Sequence, residues 1–354
     1  TIITTGVDFF LQDRKGAESE VKGTGTVASK ARSKLESDAS QKGLGAFILA
    51  EHELNDQWLI SGNLRHDHYD TKTDADVITI PALMDTIRAN KNSSNSSTTY
   101  AVGTVFKPLN WLNFAANYGT SFRVPTTSEL FSYGTYGTGY RVPNPTLKAE
   151  EGQTIDFSAR LRFDRLVSNL TFYRSNYNNL IGREEVTHLG LPSSRRTNIG
   201  KATVEGVELE MAYALTNQWS LKLASAYTEG TDETTNRPLA YIAPLMSRLG
   251  VRYDTGNYYV QADVRHSSKK DRIDNKQERM TDGYTVLDLY AGAKLSQFSS
   301  DLPKNTMLRV GIENVFDETY VNPTTREAIT SANSYTNPLI EPGRNVKVSV
   351  TSKF

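Results

Sequence analysis

The connections between the apolar stretches of this chain are alternately long and short, and that pattern limits the fold more than composition does. About fourteen segments read as strands, at 3–13, 43–53, 57–70, 98–107, 110–121, 153–163, 166–178, 202–215, 218–229, 245–254, 257–268, 283–296, 305–320 and 344–354. Short joints recur at Asn55-Asp56, Pro108-Leu109, Asp164-Arg165, Thr216-Asn217 and Thr255-Gly256. Long polar connections fall between them at 14–42, 71–97, 122–152, 179–201, 230–244, 269–282 and 321–343. Long structureless loops are uncommon in compact soluble domains. A soluble sandwich also has no reason to gather every long loop at one end. An up-and-down barrel in an outer membrane does so, with short periplasmic turns and long extracellular loops.

Within the strands, polar and apolar residues alternate. Ile155, Phe157, Ala159, Leu161 and Phe163 fall on one face, and Thr154, Asp156, Ser158, Arg160 and Arg162 on the other. The same holds for Trp219, Leu221 and Leu223, for Leu287, Leu289, Ala291 and Ala293, and for Leu308, Val310 and Ile312. Alternation keeps the mean hydropathy at −0.49, although such strands can face lipid. No run of about 20 apolar residues offers a transmembrane helix. The 18 Tyr and 13 Phe suit aromatic girdles at the two interfaces. In the final strand Val346, Val348, Val350 and Phe354 would face lipid, and Lys347, Ser349, Thr351 and Lys353 the lumen. Phe354 would then end at the periplasmic side. The fold expected is all-β, a transmembrane antiparallel up-and-down barrel.

Zero net charge argues against a nucleic-acid partner. The lack of cysteine excludes disulfides and thiolate metal sites. Neither a Gly-x-Ser-x-Gly elbow nor a His-Glu-x-x-His box is present, so the chain does not read as an enzyme. Thr1-Ile2-Ile3 does not open a signal peptide.

Four motifs, in order, carry a family resemblance. They are Asn117-Tyr118-Gly119-Thr120-Ser121-Phe122-Arg123-Val124-Pro125; Asn144-Pro145-Thr146-Leu147-Lys148-Ala149-Glu150; Asn198-Ile199-Gly200 with Gly206-Val207-Glu208; and Gly311-Ile312-Glu313-Asn314-Val315-Phe316-Asp317 with Tyr320. Together they resemble the C-terminal part of TonB-dependent outer-membrane receptors, with Phe122, Arg123, Pro125, Asn144, Pro145 and Leu147 matching two boxes of the seventh extracellular loop. The resemblance implies a barrel of about 22 strands around an N-terminal plug. Residues 1–354 would then be one domain, the C-terminal portion of the barrel, with about eight strands and the plug supplied from elsewhere. The partner implied is a TonB-type energy-coupling protein acting through that other region, and the surroundings are outer-membrane lipid.

The paired boxes are most similar to those of the haem and haemoprotein receptor branch. The function implied is active uptake of haem or haemoprotein-derived iron, with haem as transported ligand and no intrinsic cofactor. The alternatives are a ferric siderophore or other metal chelate on the same fold, and a passive porin. Haem receptors commonly place an axial His between the two boxes. Residues 126–143 hold none, but they do hold Tyr133, Tyr136 and Tyr140. Tyrosinate can ligate haem iron. The other reading is a contact surface of tyrosines interleaved with Gly134, Gly137 and Gly139. His188 lies inside the 179–201 connection, where it could approach a ligand or simply be solvated. Arg195 and Arg196 of that connection could bind carboxylates in bidentate fashion, as could Arg183 and Arg272, while Lys269 and Lys270 of the next basic loop add positive charge. No metal-ligand set is apparent among the histidines.

Overall fold

The computed structural model describes residues 1–15, 18–21, 31–34, 38–73, 87–136, 139–275, 278–298, 303, 306–325 and 339–352, and for 18–21, 31–34, 135 and 136 the backbone alone. In chain order its elements begin with β1 (Ile2–Arg14), β2 (Glu18–Val21), β3 (Ala31–Lys34), β4 (Ala39–Asn55), β5 (Trp58–Thr73), β6 (Asn92–Leu109) and β7 (Leu112–Arg123). A short helix α1 (Thr127–Phe131) follows, then β8 (Gly134–Tyr136), β9 (Gly139–Val142), β10 (Glu150–Phe163), β11 (Leu166–Asn178), β12 (Ile181–His188), β13 (Leu191–Asn198) and β14 (Lys201–Ala214). The last are β15 (Trp219–Asp232), β16 (Arg237–Pro238), β17 (Met246–Asp254), β18 (Tyr258–Ser267), β19 (Tyr284–Lys294), β20 (Met307–Glu313) and β21 (Asn345–Thr351).

Fourteen of these strands form the wall, in the order β1-β4-β5-β6-β7-β10-β11-β14-β15-β17-β18-β19-β20-β21, with β16 paired to β15. Every wall pairing is antiparallel between neighbours along the chain, which is the up-and-down order expected. Each of the fourteen corresponds to a strand read from the sequence. Among the described residues β1 and β21 do not pair with each other, so the sheet ends in two edges.

The short joints are made by residues suited to them. Asn55 Oδ1 accepts from the backbone N–H of Gln57 and Trp58. Asp164 takes a left-handed conformation (φ 49°) between β10 and β11. Thr216 Oγ1 accepts from the N–H of Gln218 and Trp219. All three Trp of the chain stand beside such joints against aromatic neighbours: Trp58 stacked on Phe106, Trp111 edge-to-face with Phe163 and Trp219 tilted on Tyr253. That is an aromatic girdle at the short-turn rim. On the outer face Ile155, Phe157 and Phe163 are exposed, as a lipid-facing surface requires.

The inner face is charged, and the charges are paired along and across strands. Arg65 bridges Asp8 and Asp67. Arg248 meets Asp263, and Arg265 meets Asp288, at 2.7 Å each. No described helix is long and apolar enough to cross a membrane.

Three expectations change. The strand read over 305–320 stops at Glu313, because Asn314 turns left-handed (φ 52°) and its side chain both donates to Glu318 O and accepts from Glu318 N–H. The 179–201 connection is not structureless but a β-hairpin, β12 with β13. β4, β5 and β6 also run further toward the long-loop end than their apolar alternation does, because β5 and β6 continue pairing up to Lys72 opposite Asn92. Phe354 and Lys353 lie outside the described residues.

Candidate functional site

Above the long-loop rim, segments 126–149 and 179–200 fold on each other. β8, β9, β13 and β12 form a second sheet, with β9 parallel to β13. Gly139 is where the two backbones press together, since a Cβ there would fall on the Pro192 carbonyl. Beneath lies an apolar cluster of Ala39, Ile87, Leu130, Phe131, Leu147 and Ile181, with Tyr133 and Val142 against it.

The two sequence boxes hold this assembly to the wall. Arg123, the last residue of β7, donates to Glu150 at the start of β10 and to Glu129 of α1. Glu129 also completes a capping box with Thr126. Burial pushes the Glu129 carboxyl up, but the bonds from Arg123 and the Thr126 backbone outweigh it and hold the group below the usual carboxylate range. Pro125 is buried and its carbonyl accepts from Gln41 Nε2 at 3.3 Å. Asn144 donates to Arg196 O at 2.8 Å. Pro145 enters the turn that follows, and Leu147 joins the apolar cluster. Phe122 pairs with Glu151 on the outward side of the β7–β10 ladder. Asn198, in the third motif, donates to Lys148 O and Asn179 O and accepts from Lys148 N–H. These residues therefore position the loops.

Tyr133, Tyr140 and His188 come together, although 55 positions separate the first and last. The two phenol rings stack at 5.7 Å and 9°. His188 stands edge-on to both, at 5.8 and 5.5 Å. Its Nε2 is 3.5 Å from Tyr133 Oη, a long and weak contact. His188 is placed by the β12–β13 turn, whose Leu189 and Gly190 both have positive φ (51° and 76°). Burial, and then the neighbouring Tyr140, push the Tyr133 phenol up, so it is held neutral unless a cation or base draws its proton. The arrangement offers flat aromatic faces beside one imidazole and two phenols, ligands that ferric iron accepts. Tyr136 is on β8, and its side chain lies outside the described residues.

The basic residues divide. Arg195 pairs with Glu184 at 2.9 Å, while its Nε is buried without a partner. Arg196 is exposed. Arg141, beside Tyr140 on β9, lies near Arg14 of the wall. Lys270, in contrast, is buried against Glu278, with side-chain exposures of 3 % and 6 %, and donates to Pro323 O. Arg272 donates to Gly230 O and Thr231 Oγ1. These last two brace loops, a role that sequence reasoning missed because the Lys270–Glu278 partnership has no local signature.

The sequence matches the family described as TonB dependent receptor-like, beta-barrel, over residues 2–315. The chain belongs to that TonB-dependent receptor family. The receptor's wall is thus a bacterial outer-membrane barrel domain of a non-enzymatic transporter family. Among its relatives is the heme/hemopexin utilization protein C of Haemophilus influenzae (strain 86-028NP), 27 % identical over 345 residues, 89 % of this chain and 45 % of that protein. Another is the hemin receptor of Yersinia enterocolitica, 28 % identical over 245 residues, 61 % of this chain and 34 % of that one. The receptor fold is similar to that of the copper transporter OprC, with a TM-score of 0.79 at 22 % identity, covering 98 % of this chain and 53 % of the other. The receptor chain spans about half the length of such relatives or less.

Proposed function

We propose that this chain is the C-terminal wall and outer loops of a receptor for haem or haemoprotein-derived iron. The observation that carries the reading is the Tyr133–Tyr140–His188 cluster, in which two loops deliver iron-ligating side chains and flat apolar faces to one place. The relatives' names point the same way. Haem would stack against the tyrosines, with His188 or a phenolate on iron. Its propionates would meet exposed Arg196. Release inward would draw on a TonB-type partner acting through a region outside this chain.

Titration of the intact receptor with haemin should give a shifted, saturable Soret band. Tyr133→Phe, Tyr140→Phe and His188→Ala should each weaken it. No shift in the wild type would sink the haem reading, and full retention in all three variants would move the ligands elsewhere. Exposed Arg196 suits one other cargo, an anionic ferric siderophore. Saturable binding of a ferric catecholate, with none of haemin, would select it.

A further inference from the structure

The outer face of β5 carries a group of side chains that haem uptake does not use. His66, His68 and Asp70 occupy alternate positions of one strand, so all three project from the same side. That side looks away from the lumen. Leu64, the preceding outward residue, is exposed and pairs with exposed Tyr100, and exposed Leu44 of β4 stands opposite His68, so the triplet borders the apolar band. Both imidazoles are exposed. Each uses Nδ1 on a hydroxyl of the adjacent strand: His66 at 2.9 Å from Thr98 Oγ1, and His68 at 2.7 Å from Ser96 Oγ. That hydroxyl can donate or accept; when it accepts, the proton sits on Nδ1 and Nε2 has a lone pair to offer an ion. An outer partner on the second ring nitrogen is how metal-binding imidazoles are oriented. His68 Nε2 already lies 3.4 Å from Asp70 Oδ2. Alternate residues of a strand are roughly 7 Å apart. Two imidazoles at that spacing can close on one ion at about 2.0–2.1 Å.

We propose that His66, His68 and Asp70 form a site for a divalent transition-metal ion on the outer wall, at its extracellular rim. Imidazole with carboxylate suits Cu²⁺, Ni²⁺ and Zn²⁺, with copper bound most tightly. No three His, Asp or Glu side chains converge at ligating distance among the described residues. The two imidazoles are therefore the anchors, and Asp70 and water complete the shell. Lys42 is the cross-strand neighbour of Asp70 on β4, so Asp70 is taken as the weakest contributor. The site is independent of the haem reading.

The test is a Cu²⁺ titration of the intact receptor in detergent, read by calorimetry and by pulsed electron paramagnetic resonance of imidazole nitrogen. One equivalent with two imidazoles is expected. His66→Ala and His68→Ala should each lower its affinity at least about tenfold and remove one imidazole from the spectrum. Asp70→Asn should lower it only a few-fold. His52→Ala and His266→Ala are controls, because each of these is a single strand histidine with the same kind of hydroxyl partner, Thr1 Oγ1 or Thr285 Oγ1. They should change nothing, and haemin binding should persist in every variant. Copper binding without paired imidazoles, or unchanged affinity in both His66 and His68 variants, overturns the proposal.

Discussion

The wall and the loop assembly above it obey different rules. In the wall, one residue rises above the next in a backbone ladder, and any strand could be swapped for its neighbour with little change in logic. The outer side chains need only be apolar and the inner ones only paired. The loop assembly has a short ladder, one five-residue helix and a small apolar cluster. Its order comes from single side chains that reach across the chain, Arg123 to Glu129 and Glu150 and Asn198 to Lys148 and Asn179, just as Lys270, reaching Glu278 and Pro323, orders the separate 269–282 loop. A wall built of many equivalent bonds tolerates the loss of one. A loop assembly tied at a few points does not.

Lys270→Met should have the largest effect. It strands the Glu278 carboxylate in a buried position, and breaking a buried pair in this way costs about 3–5 kcal/mol. Limited proteolysis should then open the 269–282 loop, while heat-modifiable migration of the wall persists. Lys270→Met with Glu278→Leu should recover most of the loss. If the wall unfolds with the loop, the two regions are one cooperative unit and the contrast fails.

Arg123→Ala comes next, at about 2–3 kcal/mol, because two charge-assisted contacts go at once. Hydrogen exchange should rise across 126–149. Acid should mimic part of this effect. The Glu129 carboxyl titrates below its ordinary 4.5 when the loop is docked, so its contribution is present above that value and is lost as pH falls through the lowered one. Glu129→Gln should dock less firmly at neutral pH and lose that acid dependence.

Asn198→Ala removes three hydrogen bonds to backbone and should cost about 1–2 kcal/mol, read as faster exchange at Lys148. Arg195→Ala breaks an exposed pair, with side chains 41 % and 44 % accessible, and should cost less than about 1 kcal/mol in thermal stability. A larger loss would mean that the hairpin relies on Arg195 for packing.

The fourteen wall strands were legible because a half-buried strand writes its two faces as a period of two, and a tight turn demands particular residues. The strand over 305–320 was read too long because Val315-Phe316 continues the apolar run, while the turn depends on the Asn314 side chain folding back on Glu318. The boxes around Phe122, Arg123, Pro125, Asn144, Pro145 and Leu147 were visible as motifs, but their work as clamps was not. That work lies in partners such as Gln41 and Arg196, far away in sequence.

The sequence by itself determined the alternation of long loops with short turns and the face each wall residue takes, because both follow from neighbours two positions apart. Only the tertiary structure decided that Tyr133 and Tyr140 meet His188 while Lys270 is hidden against Glu278. The first joins two loops and the second folds one loop back on itself and onto Pro323, and such packing leaves no period in the chain.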